Sequence, residues 1–118
     1  VSHHLKLGQK GELLAAKFLE QKGHQILHTN YRCEHKEIDL ISLDGDTLVF
    51  TEIKTRSSYD FGFPEEAVTH KKQGLLKAAA TAFCTEHPQY PYIRFDVLSL
   101  LIRKHEIIEI LHFQDAFY

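Results

Sequence analysis

Two triplets, Glu37-Ile38-Asp39 and Glu52-Ile53-Lys54, place charges at alternate positions inside segments that otherwise read as buried β-strand. Side chains at i and i+2 of a strand share a face, so Glu37 goes with Asp39 and Glu52 with Lys54. Sheet interiors rarely hold charges for stability alone, because desolvating them costs more than an apolar replacement. Carboxylates gathered with a lysine suit a divalent metal ion and a phosphate. Hard oxygen ligands favour Mg²⁺ or Mn²⁺ over zinc. The chemistry to expect is metal-assisted hydrolysis of a phosphodiester.

Whether these charges meet depends on the turn between them. Leu43-Asp44-Gly45-Asp46-Thr47 carries the signal of a two-residue hairpin loop, centred on Gly45-Asp46 or on Asp44-Gly45. With Gly45-Asp46 at the centre, Leu43 faces Leu48, Ile41 faces Phe50, Asp39 faces Glu52 and Glu37 faces Lys54. The other centre slips the pairing by two and keeps the same residues on that face. A three-residue loop would put Asp39 and Glu52 on opposite faces. Directly opposed Cβ atoms lie ~5 Å apart, near enough for two carboxylates to share a cation. Without a cation, both resist ionising at that distance. Ile38 and Leu40, against Val49, Thr51 and Ile53, make the second face apolar too, so these strands are expected to be central and covered on both sides.

The elements that must hold the hairpin follow an α-β-β-β-α-β-β order. A first helix is predicted over 5–22, ended by Gly23, with a stripe of Leu5, Ala15, Ala16 and Leu19 on which Glu12 also falls. A short strand at 24–28 leads into a loop over 29–35, then come hairpin strands at 37–43 and 47–55. Residues 57–63 read as a flexible loop. Pro64-Glu65-Glu66 has the signature of a helix start. That second helix is predicted to run to Thr85 with Val68, Lys72, Leu75, Ala79, Ala82 and Phe83 inward. Strands at 92–101 and 105–112 complete an α/β fold, a mixed sheet of about five strands flanked by helices.

The chain has 118 residues, 43% of them hydrophobic and 25% charged, which fits a single globular domain spanning 1–118. No apolar run approaches a membrane span and no secretory signal is visible. Cys33 and Cys84 are far apart with no C-x-x-C spacing, so a disulfide framework or zinc site is not expected and a reducing cytoplasm is the default. The nine histidines lack the spacing of a helical metal motif. The formal net charge of -2 gives no basic footprint for nucleic acid, although Lys54, Arg56, Lys71 and Lys72 could converge around the charged strand ends.

Each charge has an ordinary structural alternative. Asp39 could bond backbone, Glu52 and Lys54 could be an edge-strand ion pair, Glu12 could sit at a helix margin and Lys72 could snorkel to water. Four or five such coincidences on inward faces are harder to accept than one site.

Asp39 followed, after twelve intervening residues, by Glu52-Ile53-Lys54 resembles the motif of the PD-(D/E)XK phosphodiesterase superfamily. Gly11-Glu12 with Ala15-Ala16, Asn30-Tyr31-Arg32, Glu37 to Ile41, Glu52 to Arg56, Arg94-Phe95-Asp96-Val97 and Asp115-Ala116-Phe117 together resemble the YraN-like bacterial family. Its members are uncharacterised proteins regarded as endonucleases. The resemblance covers nearly the whole chain and implies a restriction-endonuclease-like core, similar in layout to archaeal Holliday junction resolvases. It places Glu12, Asp39, Glu52 and Lys54 around the metal and matches Lys72 and Gln73 to a basic-polar position. One departure is Lys36, where the family usually has Gly before the Glu-Ile-Asp triplet.

The expected site therefore has Asp39, Glu52 and Lys54 as catalytic residues. Glu12, Asp39, Glu52 and the Ile53 carbonyl hold Mg²⁺ or Mn²⁺. Arg56, Lys72 and Gln73 contact nucleic acid, and Glu37 supports the ligands or pairs with Lys54. The expected activity is endonucleolytic cleavage of DNA, including branched or repair intermediates, and symmetric cutting would favour a homodimer. The alternative is a non-catalytic nucleic-acid-binding module on the same fold.

Overall fold

Residues 7–58, 68–104 and 106–117 are described in the computed structural model. The elements are α1 (Leu7–Gln21), β1 (Gln25–Cys33), β2 (Lys36–Asp44), β3 (Thr47–Arg56), α2 (His70–Glu86), β4 (Tyr92–Arg103) and β5 (Glu106–Phe117). The five strands form one sheet in sequential order. Neighbours are antiparallel except β3 and β4, which are parallel and joined through α2. This is the mixed sheet, and the element order, expected from the sequence.

Alternation along β4 shows why both faces must be covered. Phe95 and Val97 pack with Leu76, Ala79, Ala80 and Phe83 of α2. Leu98, Leu100 and Ile102 pack with Ala15 and Leu19 of α1. One helix therefore lies on each face. Among the described residues, no helix is long and apolar enough to cross a membrane, and both cysteines are free.

Several boundaries differ from the sequence reading. The segment 29–35, expected as loop, continues β1 to Cys33 before a two-residue turn. Its polar residues reflect an edge strand, bonded on one side only and wetted on the other. Helix α2 does not begin at Pro64. Val68 and Thr69 are non-helical, and Thr69 is the N-cap, its hydroxyl accepting from the Lys72 N–H at 3.2 Å; Pro64, Glu65 and Glu66 lie outside the described residues, as does Leu5. The α2 stripe is also rotated. Leu76, Ala79, Ala80 and Phe83 are buried at i, i+3, i+4 and i+7, while Leu75 is 42% exposed.

A polar network lies on the α1 side of the sheet. Asp96, fully buried on β4, takes Arg94 Nε at 2.8 Å and Nη2 at 3.0 Å, His112 Nε2 at 2.7 Å and the Asp115 N–H at 3.0 Å. Arg94 Nη1 also reaches Asp44 at 3.1 Å, and Lys22 Nζ lies 2.8 Å from His112 Nδ1. Strands β2, β4 and β5 and the end of α1 are thereby tied together. Burial alone would raise the Asp96 pKa, but His112, Arg94 and the Asp115 N–H outweigh it and hold it at about 2.

Candidate metal and phosphate site

The β2–β3 ladder runs from Asp44↔Thr47 to Leu40↔Thr51, the register of a loop centred on Gly45-Asp46. Gly45 has φ +64, a conformation glycine enters without steric cost. Beyond Leu40 and Thr51 the strands part company. β2 continues against β1 to Cys33↔Lys36, and β3 continues against β4 to Arg56↔Leu101. The sheet therefore forks, with Glu37 and Asp39 on one prong and Glu52 and Lys54 on the other. At the base of the fork Asp39 Oδ2 accepts the Ile53 N–H at 2.8 Å, standing where a strand-to-strand bond would otherwise form. The backbone bond considered for Asp39 is thus real, and it occupies one of the two carboxylate oxygens.

Both layers reach this point because the face alternation breaks beside it. His28 and Tyr31 of β1 both touch the Phe83 ring on the α2 side. Between them, Thr29 and Asn30 line a cavity of about 280 Å³ with Glu12, Leu13 and Ala16 on the α1 side. Two successive strand residues on one side require a backbone irregularity, and Asn30 supplies it with φ +52. β2 follows its neighbour: Leu40 packs in the α1 cluster and Ile38 in the α2 cluster. Ile38 and Leu40 therefore do not share a face as expected, and Asp39 sits at the crossing.

Glu12, Glu37 and Asp39 each present an oxygen within 4.8 Å of the other two. Glu12, Asp39, Glu52, Ile53 and Thr55 line a cavity of about 200 Å³. The structure thus brings Glu12, Asp39, Glu52 and Ile53 to one place, and it adds Glu37. The anticipated facing of Glu37 and Lys54 does not form, because β2 and β3 have already separated. Glu37 lies 3.9 Å from Arg32, and Lys54 Nζ lies 3.6 Å from Glu52 Oε1.

Glu52 is 4% exposed on a central strand, so it is not half of an edge-strand pair. Lys72 Nζ, from the first turn of α2, lies 3.7 Å from the same Oε1. Oε2 is buried without a hydrogen-bond partner among the described residues. Burial pushes the Glu52 pKa up to about 7, Asp39 pushes the same way, and Lys72 and Lys54 oppose them. Burial also raises Asp39, against the Ile53 N–H and Lys72, with Glu12 and Glu37 adding to the rise. Asp96 and Glu52 are thus opposite cases on one sheet: a buried carboxylate saturated with donors, and a buried carboxylate with an oxygen left over.

The remaining expected residues are more dispersed. Gln73 Nε2 donates to the Val68 carbonyl at 3.2 Å, so its amide closes the start of α2. Arg56 ends β3 on the Lys54 prong. Lys36, in place of the glycine expected from the resemblance, directs its ammonium to Glu34 at 3.2 Å. The Asp96 network was missed as a unit, although Arg94 and Asp96 stand at i and i+2 of a strand like Glu52 and Lys54.

Gly11 fixes the distance of α1 from the site. A Cβ there would collide with Thr55 Oγ1, and Thr55 lines the Glu12–Glu52 cavity. Gly11→Ala is expected to destabilise the protein by about 1–3 kcal/mol through overpacking, with Thr55→Ala in the same chain recovering most of the loss. Urea denaturation of the single and double variants checks this; no recovery in the double variant would separate Gly11 from Thr55.

An acidic fork beside lysines, on a mixed sheet with a helix on each face, marks an α/β domain whose polar chemistry gathers at the open end of its central hairpin. The chain belongs to uncharacterised protein family UPF0102, whose model matches residues 11–100, in accord with the YraN-like resemblance. UPF0102 proteins of Chlorobium chlorochromatii and Rhodococcus opacus are 46% and 40% identical to it, covering 96% and 99% of this chain and 92% and 100% of their own lengths. A third, from Syntrophomonas wolfei, is 47% identical over 82% of this chain and 85% of its own.

Proposed function

We propose that this protein is a divalent-metal-dependent endonuclease of the PD-(D/E)XK type, hydrolysing phosphodiester bonds in DNA, branched or repair intermediates included. The observation that carries the reading is Glu52 Oε2, a buried carboxylate oxygen with no partner among the described residues, on a side chain that lines a cavity with Glu12 and Asp39. Such an atom is costly to bury unless something binds it. A hard cation suits the all-oxygen donors around it, and Asp39, Glu52, Glu12 and the Ile53 carbonyl are the groups that would hold Mg²⁺ or Mn²⁺. The bound ion would polarise the scissile phosphate and lower the pKa of the attacking water.

The chain's own residues do the rest. Lys54, held 3.6 Å from Glu52 Oε1, orients the water and offsets charge growing on the phosphate. The first turn of α2 holds His70, Lys71 and Lys72 and no acid. Cations at the positive end of a helix dipole weaken the helix, so their placement favours a reading in which an anion arrives. Lys72 and Arg56 then position neighbouring phosphates.

Asp39→Ala and Lys54→Ala are expected to lower Mg²⁺-dependent cleavage of labelled branched DNA on the order of a hundredfold or more, with circular dichroism unchanged. Cleavage at the wild-type rate in both would defeat the proposal. Should DNA bind uncut, with no Mn²⁺ binding that Glu52→Gln removes in calorimetry, the non-catalytic binding module takes its place.

A further inference from the structure

We infer that Asn30 is a positioning residue, its side-chain amide fixing the Glu12 carboxylate in the orientation that completes the acidic site. The inference rests on the metal-dependent reading above. Asn30 Nδ2 donates to Glu12 Oε2 at 2.8 Å. A carboxylate only accepts, so the amide nitrogen must face it. Glu12 comes from α1, and Asn30 from the edge strand that α1 packs against, so the bond spans two layers. The same carboxylate brings an oxygen within 4.8 Å of carboxylate oxygens of Glu37 and Asp39.

The choice of residue is chemically specific. A lysine or arginine at this place would orient Glu12 and also cancel its charge, competing with a cation. A neutral amide orients the carboxylate and leaves the charge available. The backbone adds a second demand. In a regular strand the side chains of Thr29 and Asn30 would point to opposite faces, yet both line the cavity beside Glu12. The left-handed φ of +52 at Asn30 makes that possible. Glycine meets the backbone demand without a donor, leucine meets neither, and lysine brings a donor but resists the left-handed backbone. Asparagine meets both.

The test is calorimetric titration of the full chain with Mn²⁺ in a double-mutant cycle of Asn30→Gly and Glu12→Gln. Glycine keeps the left-handed backbone, so the metal-free melting temperature is expected to stay near the wild type's. Loss of a group that orients a ligand typically weakens metal binding by about tenfold or more. Asn30→Gly should do so in the wild-type background and have little further effect once Glu12 is Gln. An equal loss in both backgrounds, or none in the first, overturns the inference. Asp39→Ala separates this from the wider proposal. If Asp39→Ala abolishes Mn²⁺ binding while Asn30→Gly leaves it intact, only the role of Asn30 falls. If the wild type binds no Mn²⁺, both fall together.

Discussion

Glu52→Gln protein, freed of divalent metal, is expected to be more stable than the wild type at pH 8. The sign follows from the direction of the shift. Glu52 has its pKa raised from 4.5 to about 7 in the fold. Between those values the native state keeps a proton that the unfolded chain has released, so stability from this group falls as pH rises through the window. A displacement of that size corresponds to roughly 3 kcal/mol. The two proteins should therefore match most closely near pH 4.5 and diverge up to about pH 7. His24, whose pKa burial lowers, pulls the opposite way over part of this range, so the difference between wild type and variant is the quantity to follow by urea denaturation. Saturating Mg²⁺ should reverse the order, since an ion that binds only the native wild type stabilises it by mass action. A variant less stable at every pH would mean that Lys54 and Lys72 already compensate the buried charge.

The second large effect belongs to Asp96. Asp96→Asn keeps the shape but sets an NH₂ against Arg94 or His112 and leaves the guanidinium without its buried counter-charge. Breaking one partner of a buried ion pair costs about 3–5 kcal/mol. The proton linkage alone is smaller. With its pKa held at about 2 instead of 3.8, Asp96 contributes roughly 2 kcal/mol, present above the unfolded value and lost as pH falls through the native one. The mutational loss exceeds this because it also strands Arg94. Denaturation curves should show both the large loss at neutral pH and a flatter acid limb between about pH 4 and pH 2. A loss under about 1 kcal/mol would place Asp96 among ordinary surface ion pairs.

These two carboxylates show what was legible in the sequence and what was not. Alternation of apolar residues gave the central hairpin and a helix on each face, because buried strands leave little freedom in which residues face inward, but it left the register open between two turn centres, of which the structure adopts Gly45-Asp46. The same rule, charges at i and i+2 of a strand, found Glu37 with Asp39 and Glu52 with Lys54, and applied to Arg94 and Asp96 it would have found the second network. It does not separate a satisfied cluster from an unsatisfied one. That difference lies in how many donors converge from other elements, here His112 and the Asp115 N–H, which are remote in sequence. The break in alternation at Asn30 was equally hidden, since a single left-handed residue in a polar edge strand looks like loop. The start of α2 was misplaced because Pro64-Glu65-Glu66 and Thr69 are both good start signals, and the one that caps the helix is decided by packing.

The fork in the sheet also bears on the order in which the native state is assembled. A hairpin grows from its turn, and here Leu43, Leu48, Ile41 and Phe50 lie between the turn and the charges. The apolar half can close while Asp39 and Glu52 are still hydrated and apart. Their mutual repulsion then falls on the last step of zipping, and with the apolar half as the folding nucleus it would bear on how fast the protein opens more than on how fast it folds.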